Sequence, residues 1–92
     1  MEKKKIFEKA PSEKLDYIFD WSDWLSEGEN IVSYMVIPET GITIDNHSQE
    51  ENRVIVWISE GKLNETYSIS CLITTSENRI AQRTMDIRIV KR

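Results

Sequence analysis

The sequence predicts an all-β fold, an immunoglobulin-like antiparallel β-sandwich of about seven short strands with a short N-terminal arm. Three observations predict it. Apolar residues recur at every second position in several segments, turn-forming residues separate those segments, and no long helical periodicity is present. Ninety-two residues suit one domain. We therefore expect a flexible or extended arm at residues 1–13 and a single sandwich domain at residues 14–92.

The clearest strands lie in the last third of the chain. From Tyr67 to Thr75 apolar and polar residues alternate, and Leu72 is the one break in the polar face. A second alternating segment runs over about Ile80–Val90, and the short polar stretch Ser76–Arg79 between the two suits a hairpin turn. We expect these two segments to pair antiparallel.

Earlier segments are shorter or less regular. β-favouring runs occupy Leu15–Asp20, Ile31–Ile37, Gly41–Asp45 and Arg53–Ser59, and a polar loop is expected at Asn46–Asn52. The predicted core consists of large or apolar residues of these strands and of the hairpin, namely Tyr17, Trp57, Tyr67, Ile69, Cys71, Ile73, Met85, Ile87 and Ile89.

Charge and cysteine content restrict the function. Sixteen acidic residues against twelve basic ones give a net charge of -4, which argues against nucleic acid as a partner. No segment reaches the ~18 apolar residues of a membrane span, and the N-terminus lacks the apolar stretch of a secretory signal. The single cysteine cannot form an internal disulfide, so we expect folding in a reducing cytoplasm.

Residues that could support catalysis or bind a metal are few. Cys71 lies on the apolar face of its strand, and the only histidine, His47, has no nitrogen or sulfur ligand near it in the sequence. Asp16, Asp20 and Asp23 are closely spaced, but the segment lacks the glycine that turns a calcium-binding loop. We therefore expect no enzymatic activity, no metal and no cofactor.

Two groups of apolar residues could either be structural or contact a partner. Trp21, Trp24 and Trp57 either fill the core and its ends or form a platform that contacts a protein or a carbohydrate. The arm carries Ile6 and Phe7 as apolar anchors among charges, and it is either a docking segment or a frayed end.

The segment Leu15-Asp-Tyr-Ile-Phe-Asp-Trp-Ser-Asp-Trp-Leu-Ser-Glu-Gly-Glu29 is the most distinctive in the chain. It resembles the fibre–tail adaptor family of bacteriophages and prophages, in which an Asp-Tyr-x-x-Asp-Trp-x-x-Trp-Leu block follows a Lys-x-Pro-like stretch. The collinear matches are Lys9–Pro11, Asp16–Leu25, Val56–Gly61 (Val-Trp-[Ile/Leu]-Ser-x-Gly), Thr66–Tyr67, Ile73–Arg79 (Ile-Thr-Thr-x-x-x-Arg) and Ile87–Ile89. The likeness covers about residues 9–90.

The resemblance implies a non-enzymatic virion structural protein made in the host bacterial cytoplasm. Such an adaptor would dock fibres or neighbouring proteins onto the head–tail connector or tail, with phage connector, tail and fibre proteins as partners and several copies in one assembly. The residues expected to make protein contacts are Lys5, Ile6, Phe7, Pro11, Trp21 and Trp24. The alternative function is a carbohydrate-binding or adhesin-type β-sandwich module.

Overall fold

The computed structural model describes residues 5–92 and arranges them as seven strands in two sheets. The strands are β1 (Lys5–Lys9), β2 (Leu15–Asp20), β3 (Ile31–Pro38), β4 (Ile42–Glu50), β5 (Arg53–Glu60), β6 (Thr66–Thr75) and β7 (Ile80–Ile89). Sheet A has the order β1-β7-β6-β3, and sheet B has the order β2-β5-β4. The all-β, sandwich-like prediction is therefore confirmed, and the described residues contain no helix.

The β6–β7 hairpin follows the alternation seen in the sequence. Its antiparallel register runs from Thr66 opposite Arg88 to Thr74 opposite Ile80. The turn is closed by the backbone N–H of Thr75, which donates to the carbonyl of Arg79 at 2.8 Å. The predicted hairpin is confirmed.

The core lies between the two sheets, where the inward-facing residues of both meet. Most of the residues predicted for the core are buried there: Tyr17, Ile69, Cys71, Ile73, Met85, Ile87 and Ile89. Tyr67 is partly buried against the same cluster. The core also holds Trp21, for which the sequence left a core position open. Further core residues, absent from the predicted set, are Phe19, Ile31, Ile42, Val54, Val56 and Ile58.

Trp57 corrects the predicted core. It is 37% exposed, whereas Val56 and Ile58, its neighbours on β5, are fully buried. Successive side chains of a strand point to opposite faces, so the burial of Val56 and Ile58 directs the indole outward from sheet B. The apolar run Arg53–Ser59 did not reveal this orientation, because its outward positions are also largely apolar.

Residues 5–9 of the expected arm are a strand of sheet A. β1 pairs in parallel with β7, from Lys5 opposite Met85 to Lys9 opposite Ile89. Residues 1–4 lie outside the described residues, and a division of the chain between residues 13 and 14 stays a prediction.

The polar loop expected at Asn46–Asn52 is largely a strand. β4 continues to Glu50 and pairs with β5 from Ile42 to Glu50, with a register shift between Ile44 and Asn46. The side chains from Asn46 to Glu50 are all exposed, because β4 is an edge strand of sheet B. The polar side chains of this segment therefore indicated that it is exposed, but they did not indicate a loop. Its backbone hydrogen bonds to β5 keep the segment extended.

Candidate functional site

The β2–β3 loop covers one end of the sandwich and carries Trp21 and Trp24. The Trp21 carbonyl accepts hydrogen bonds from the backbone N–H groups of Trp24 and Leu25, at 3.0 and 3.1 Å. The two indole rings meet edge to face, with centroids 5.6 Å apart. Trp21 is only 1% exposed because it continues the inward alternation of β2, which also buries Tyr17 and Phe19. Trp21 is therefore a core residue, one of the two alternatives that the sequence left open, and it is not available as a surface contact.

An ion pair between a buried carboxylate, Glu29, and the 43% exposed side chain of Arg79 joins this loop to the β6–β7 turn. The guanidinium of Arg79 donates to both carboxylate oxygens of Glu29, with Nε 2.9 Å from Oε2. The Thr75 hydroxyl donates to Oε2 at 2.5 Å, and Glu29 is 3% exposed. Hydrogen bonds, first from Arg79 and then from Thr75, lower the pKa of Glu29 to about 2, because they favour the carboxylate.

Two arginines stack on the two indoles. The Cζ atom of Arg79 lies 4.0 Å from the centroid of the Trp24 ring, and that of Arg83 lies 4.4 Å from the Trp21 ring. Arg83 also donates to the carbonyl of Asp20 at 2.6 Å. The double-tryptophan block and the Thr-Thr-x-x-x-Arg hairpin, which are distant in sequence, thus form one structural unit. We call Trp21, Trp24, Glu29, Arg79 and Arg83 the end cluster.

The remaining predicted contact residues lie at and after β1. Phe7 faces inward and packs on Tyr17, with ring centroids 5.3 Å apart. Ile6 faces outward and is 66% exposed, while Lys5 and Pro11 are also exposed. The structure therefore separates these residues into an inner anchor, Phe7, and three surface positions, and it does not bring them together with the tryptophans.

Lys9 is a buried cation, and in the sequence it belongs to the Lys-x-Pro-like stretch Lys9–Pro11. Its side chain is fully buried, and Nζ donates to the carbonyl of Ala10 at 2.6 Å. Burial lowers the pKa of Lys9, and the carboxylates of Glu13 and Glu60 oppose that shift. The geometry gives Lys9 a structural role at the end of β1.

Sheet B carries an exposed apolar group on its outer face. Ile18 on β2 lies directly opposite Ile55 on β5, and Trp57 lies two residues further along β5, opposite Asp16 on β2 and Asn46 on β4. Ile18 is 42% exposed and Trp57 is 37% exposed. We call Ile18, Ile55 and Trp57 the Trp57 surface.

Sheet A carries a second exposed apolar group at its β3 edge. Val32, Met35 and Ile37 are 60%, 57% and 47% exposed, and Leu72 on β6 lies directly opposite Met35. We call these four residues the β3 surface. The sequence held one signal for it, since Leu72 interrupts the polar face of its strand.

A groove of about 450 Å³ opens between the sheets beside β2 and β7. Its lining includes the acidic Asp20 and Asp23 and the basic Lys5 and Arg83, around the apolar Ile18. Arg83 is held at 3.8 Å from Asp23 and by its bond to Asp20. Of the charges in the groove, Arg83 and Asp23 thus already interact with each other.

Groups with catalytic chemistry are scattered over the structure. His47 Nδ1 is 2.8 Å from the Tyr34 hydroxyl on the exposed edge between β3 and β4. Cys71 is fully buried, and desolvation raises the pKa of its thiol to about 11. Among residues 5–92, no three His, Cys, Asp or Glu side chains are placed to hold a metal ion. Nor does this part of the chain contain a helix long and apolar enough to cross a membrane.

Comparison with known proteins identifies one family. The model of a family described as "Podophage GP4 fiber-tail adaptor protein gp77" matches residues 9–88. No curated protein matches the chain significantly. The matched range contains the end cluster, the Trp57 surface and the β3 surface, and it begins at the buried Lys9.

Proposed function

The chain belongs to the podophage fibre–tail adaptor family, and from this premise we propose that it docks its partner protein through the Trp57 surface. In this proposal the protein is a non-enzymatic part of the virion that is made in the host cytoplasm. It connects fibres or neighbouring proteins to the head–tail connector or tail, and it acts in several copies.

One observation supports this choice of surface above the others: a tryptophan of the matched region faces solvent beside an isoleucine pair. Trp57 has no place in the core, yet it lies at the centre of sheet B with Ile18 and Ile55 on the same face. Tryptophan is enriched among the few residues that dominate protein–protein binding, especially near the middle of an interface. An exposed Trp on a rigid central strand is therefore well placed to anchor a partner.

The rim of the Trp57 surface indicates the chemistry of the partner. Asp16 and Asp20 on β2 and Glu50 on β4 share the outer face with the apolar group, and the Arg53 guanidinium lies 3.5 Å from Glu50. The rim is therefore mainly acidic. We expect the partner to offer an apolar pocket for the indole, surrounded by basic residues.

The test measures binding to the connector, tail and fibre proteins encoded beside this gene. We expect Trp57→Ala to weaken the complex about thirtyfold or more, because loss of a central aromatic anchor typically has an effect of this size. Leu63→Ala is the matched control, since Leu63 is similarly exposed at 42% and lies in the β5–β6 connection, outside the strands of sheet B. Equal affinity of the Trp57→Ala and parent proteins for a captured partner would place the contact elsewhere.

The exposed residues of β1 provide a second contact to be tested separately. Ile6 is 66% exposed on the outer face of sheet A, next to Lys5. Deletion of residues 1–12 would remove all of β1, including the packed Phe7 and the buried Lys9, so it would also disturb the fold. Ile6→Ser leaves the backbone pairing intact, and loss of binding in this variant would assign the contact to β1.

No finding supports the carbohydrate-binding alternative. A stacking platform needs several exposed aromatic faces, whereas Trp21 is buried and Arg79 lies over the ring of Trp24. Trp57 is left as the one tryptophan on the outer face of sheet B. Specific binding of a glycan that is abolished by Trp57→Ala would revive this alternative.

We further infer that the sandwich is immunoglobulin-like. The orders β2-β5-β4 and β7-β6-β3 correspond to the strand orders B-E-D and G-F-C of that fold. β1 would then be a first strand that pairs in parallel with the last strand. A solved structure that superimposes on immunoglobulin domains with this strand correspondence would establish the assignment.

A further inference from the structure

We propose that two copies of this chain join edge to edge, with β3 of one copy pairing antiparallel with β3 of the second. The inference goes beyond the proposed function, because it concerns contacts between copies and leaves the Trp57 surface free for another protein. It rests on the backbone of β3, its composition and the residues that flank its open edge.

The open edge of β3 can be located from its pairing with β6. β3 is the last strand of sheet A, and β6 is its one strand partner among the described residues. The N–H of Glu39 donates to the carbonyl of Ser68 at 2.9 Å, which marks a hydrogen-bonded pair. Such pairs alternate along an antiparallel ladder. Ile37 and Met35 therefore bond to β6, while the N–H and C=O groups of Tyr34 and Val36 point away from it.

Pro38 supports this assignment. It lies opposite Ile69, at a position where the alternation directs the backbone nitrogen outward. Proline has no N–H and is tolerated in a sheet at such an edge position. At the other end of β3, the register shifts between Ile31 and Ser33. The open edge that can accept a strand is therefore bounded by a bulge and a proline.

The composition of β3 favours a copy of itself as the occupant. The strand Ile31–Pro38 contains no charged residue, although the chain as a whole carries a net charge of -4. Exposed edge strands usually carry charges, often lysine, that prevent pairing with another chain. Two β3 strands can therefore meet without repulsion between like charges.

One register pairs the outward N–H and C=O groups of both Tyr34 and Val36. If Tyr34 pairs with Val36 of the second copy, symmetry pairs Val36 with Tyr34 of that copy, and both pairs are hydrogen-bonded. Met35 then lies opposite Met35 of the second copy in a non-hydrogen-bonded pair, where side chains are closest. A register shifted by two residues in one direction would place Tyr34 opposite Pro38, which lacks an N–H. A shift by two residues in the other direction would place Val36 opposite Val32 in the bulge.

The same register brings the apolar side chains of the β3 surface together. Met35 and Ile37 are 57% and 47% exposed on the outer face, and Leu72 lies beside Met35. In the pair, the two β3 surfaces form one continuous strip across an eight-stranded sheet. Pairing through a single short strand buries a small area, so we expect a dimer that forms as concentration rises.

The first test measures the mass of the whole protein by sedimentation from micromolar to about 1 mM. We expect the parent to form dimers, and Val36→Pro to weaken them about tenfold or more, because it removes an outward N–H without removing a bond to β6. Met35→Lys should act in the same direction through like-charge repulsion. The control Gln82→Lys adds a charge on the same face away from the edge, and it should leave the dimer unchanged.

The second test reads the register by oxidation of single-cysteine variants. In the proposed pair, Met35→Cys places two Cα atoms ~4.5 Å apart, within the range of a disulfide. Ile37→Cys places them four positions apart along the strand, roughly 13 Å, which is too far. The buried Cys71 should not compete. We expect rapid cross-linking of the first variant and not of the second.

The outcomes separate this inference from the proposed function. A parent protein that stays monomeric at about 1 mM, a Val36→Pro variant that still dimerises like the parent, or equal cross-linking of both cysteine variants would overturn the β3 pairing. None of these results affects binding of a partner through the Trp57 surface. Conversely, loss of partner binding in Trp57→Ala should leave the dimer intact.

Discussion

Gly61 provides the sharpest test of the packing described here. It follows β5 directly, at the end of the Val-Trp-Ile-Ser-x-Gly segment, and its φ is +101°. A Cβ atom added there would lie 2.6 Å from Cδ1 and 2.8 Å from Cγ1 of Ile89, whose side chain is fully buried. Gly61→Ala therefore combines backbone strain with a steric clash in the core.

The two contributions can be given magnitudes. An L-residue in the left-handed region costs ~1–2 kcal/mol, and overpacking of a well-packed core costs ~1–3 kcal/mol. We expect Gly61→Ala to lower the free energy of unfolding by ~2–5 kcal/mol, a large part of the ~5–15 kcal/mol that such domains have. Gly28→Ala separates the contributions, because Gly28 has φ +79° but no atom within 4 Å of the added Cβ. It should cost only the ~1–2 kcal/mol of strain.

Urea unfolding followed by tryptophan fluorescence measures these differences. With an m-value of ~1–1.5 kcal/mol/M, Gly61→Ala should lower the midpoint by ~1.3–5 M, about twice the effect of Gly28→Ala. In an Ile89→Ala background the clashing atoms are gone, so Gly61→Ala should then cost about as much as Gly28→Ala. The reasoning is refuted if Gly61→Ala costs no more than Gly28→Ala, or if its full cost persists in the Ile89→Ala background.

Three further predictions concern other parts of the fold. Because the folded pKa of Glu29 is lowered from 4.5 to about 2, its carboxylate contributes stability that is present above pH 4.5 and is lost as the pH falls toward 2. Glu29→Gln should therefore be less stable than the parent at neutral pH, and the difference between their urea midpoints should shrink across that range; a constant difference would contradict the lowered pKa. Trp21→Ala should destabilise by ~3–5 kcal/mol in the same assay, and Trp57→Ala by less, since Trp57 is 37% exposed; equal losses would contradict the assignment of Trp21 to the core. The Cys71 thiol, buried and with its pKa raised to about 11, should react with a thiol reagent at the rate of unfolding, and fast labelling of the folded protein would show that the site is open.

The alternation of side chains allowed the hairpin and the fold class to be predicted from the sequence. In Tyr67–Thr75 buried positions alternate with partly exposed ones from Ile69 onward, and in Ile80–Val90 they do so from Met85 onward, because each strand has one face on the core. The turn at Ser76–Arg79 was likewise predicted from the polar residues of that short stretch alone. Periodicity of this kind depends only on residues near each other in the chain, so the sequence alone contains it.

The orientation of uniform segments could not be predicted in the same way. Arg53–Ser59 is apolar on both faces, so its pattern did not show that Trp57 points to solvent. The opposite case is Asn46–Glu50, whose polar side chains concealed a strand at the edge of sheet B. The face of β5 that packs on the core decides exposure in the first segment, and the edge position of β4 decides it in the second. Both are properties of the tertiary structure.

The end cluster and the β3 edge were likewise decided by the tertiary structure. Glu29 and Arg79 are separated by fifty positions in the chain, and only the packing of the β2–β3 loop on the β6–β7 turn makes them partners. The lack of charge in β3 could be seen in the sequence, but its significance could not. An uncharged strand is common in the middle of a sheet, and only the tertiary structure places β3 at an edge. The sequence by itself determined the strands with alternating or β-favouring side chains and the apolar faces of the regular ones, because side-chain alternation is local. Which strand lies at an edge, which tryptophan is buried and which charges pair depend on contacts between distant segments, and only the folded chain establishes those.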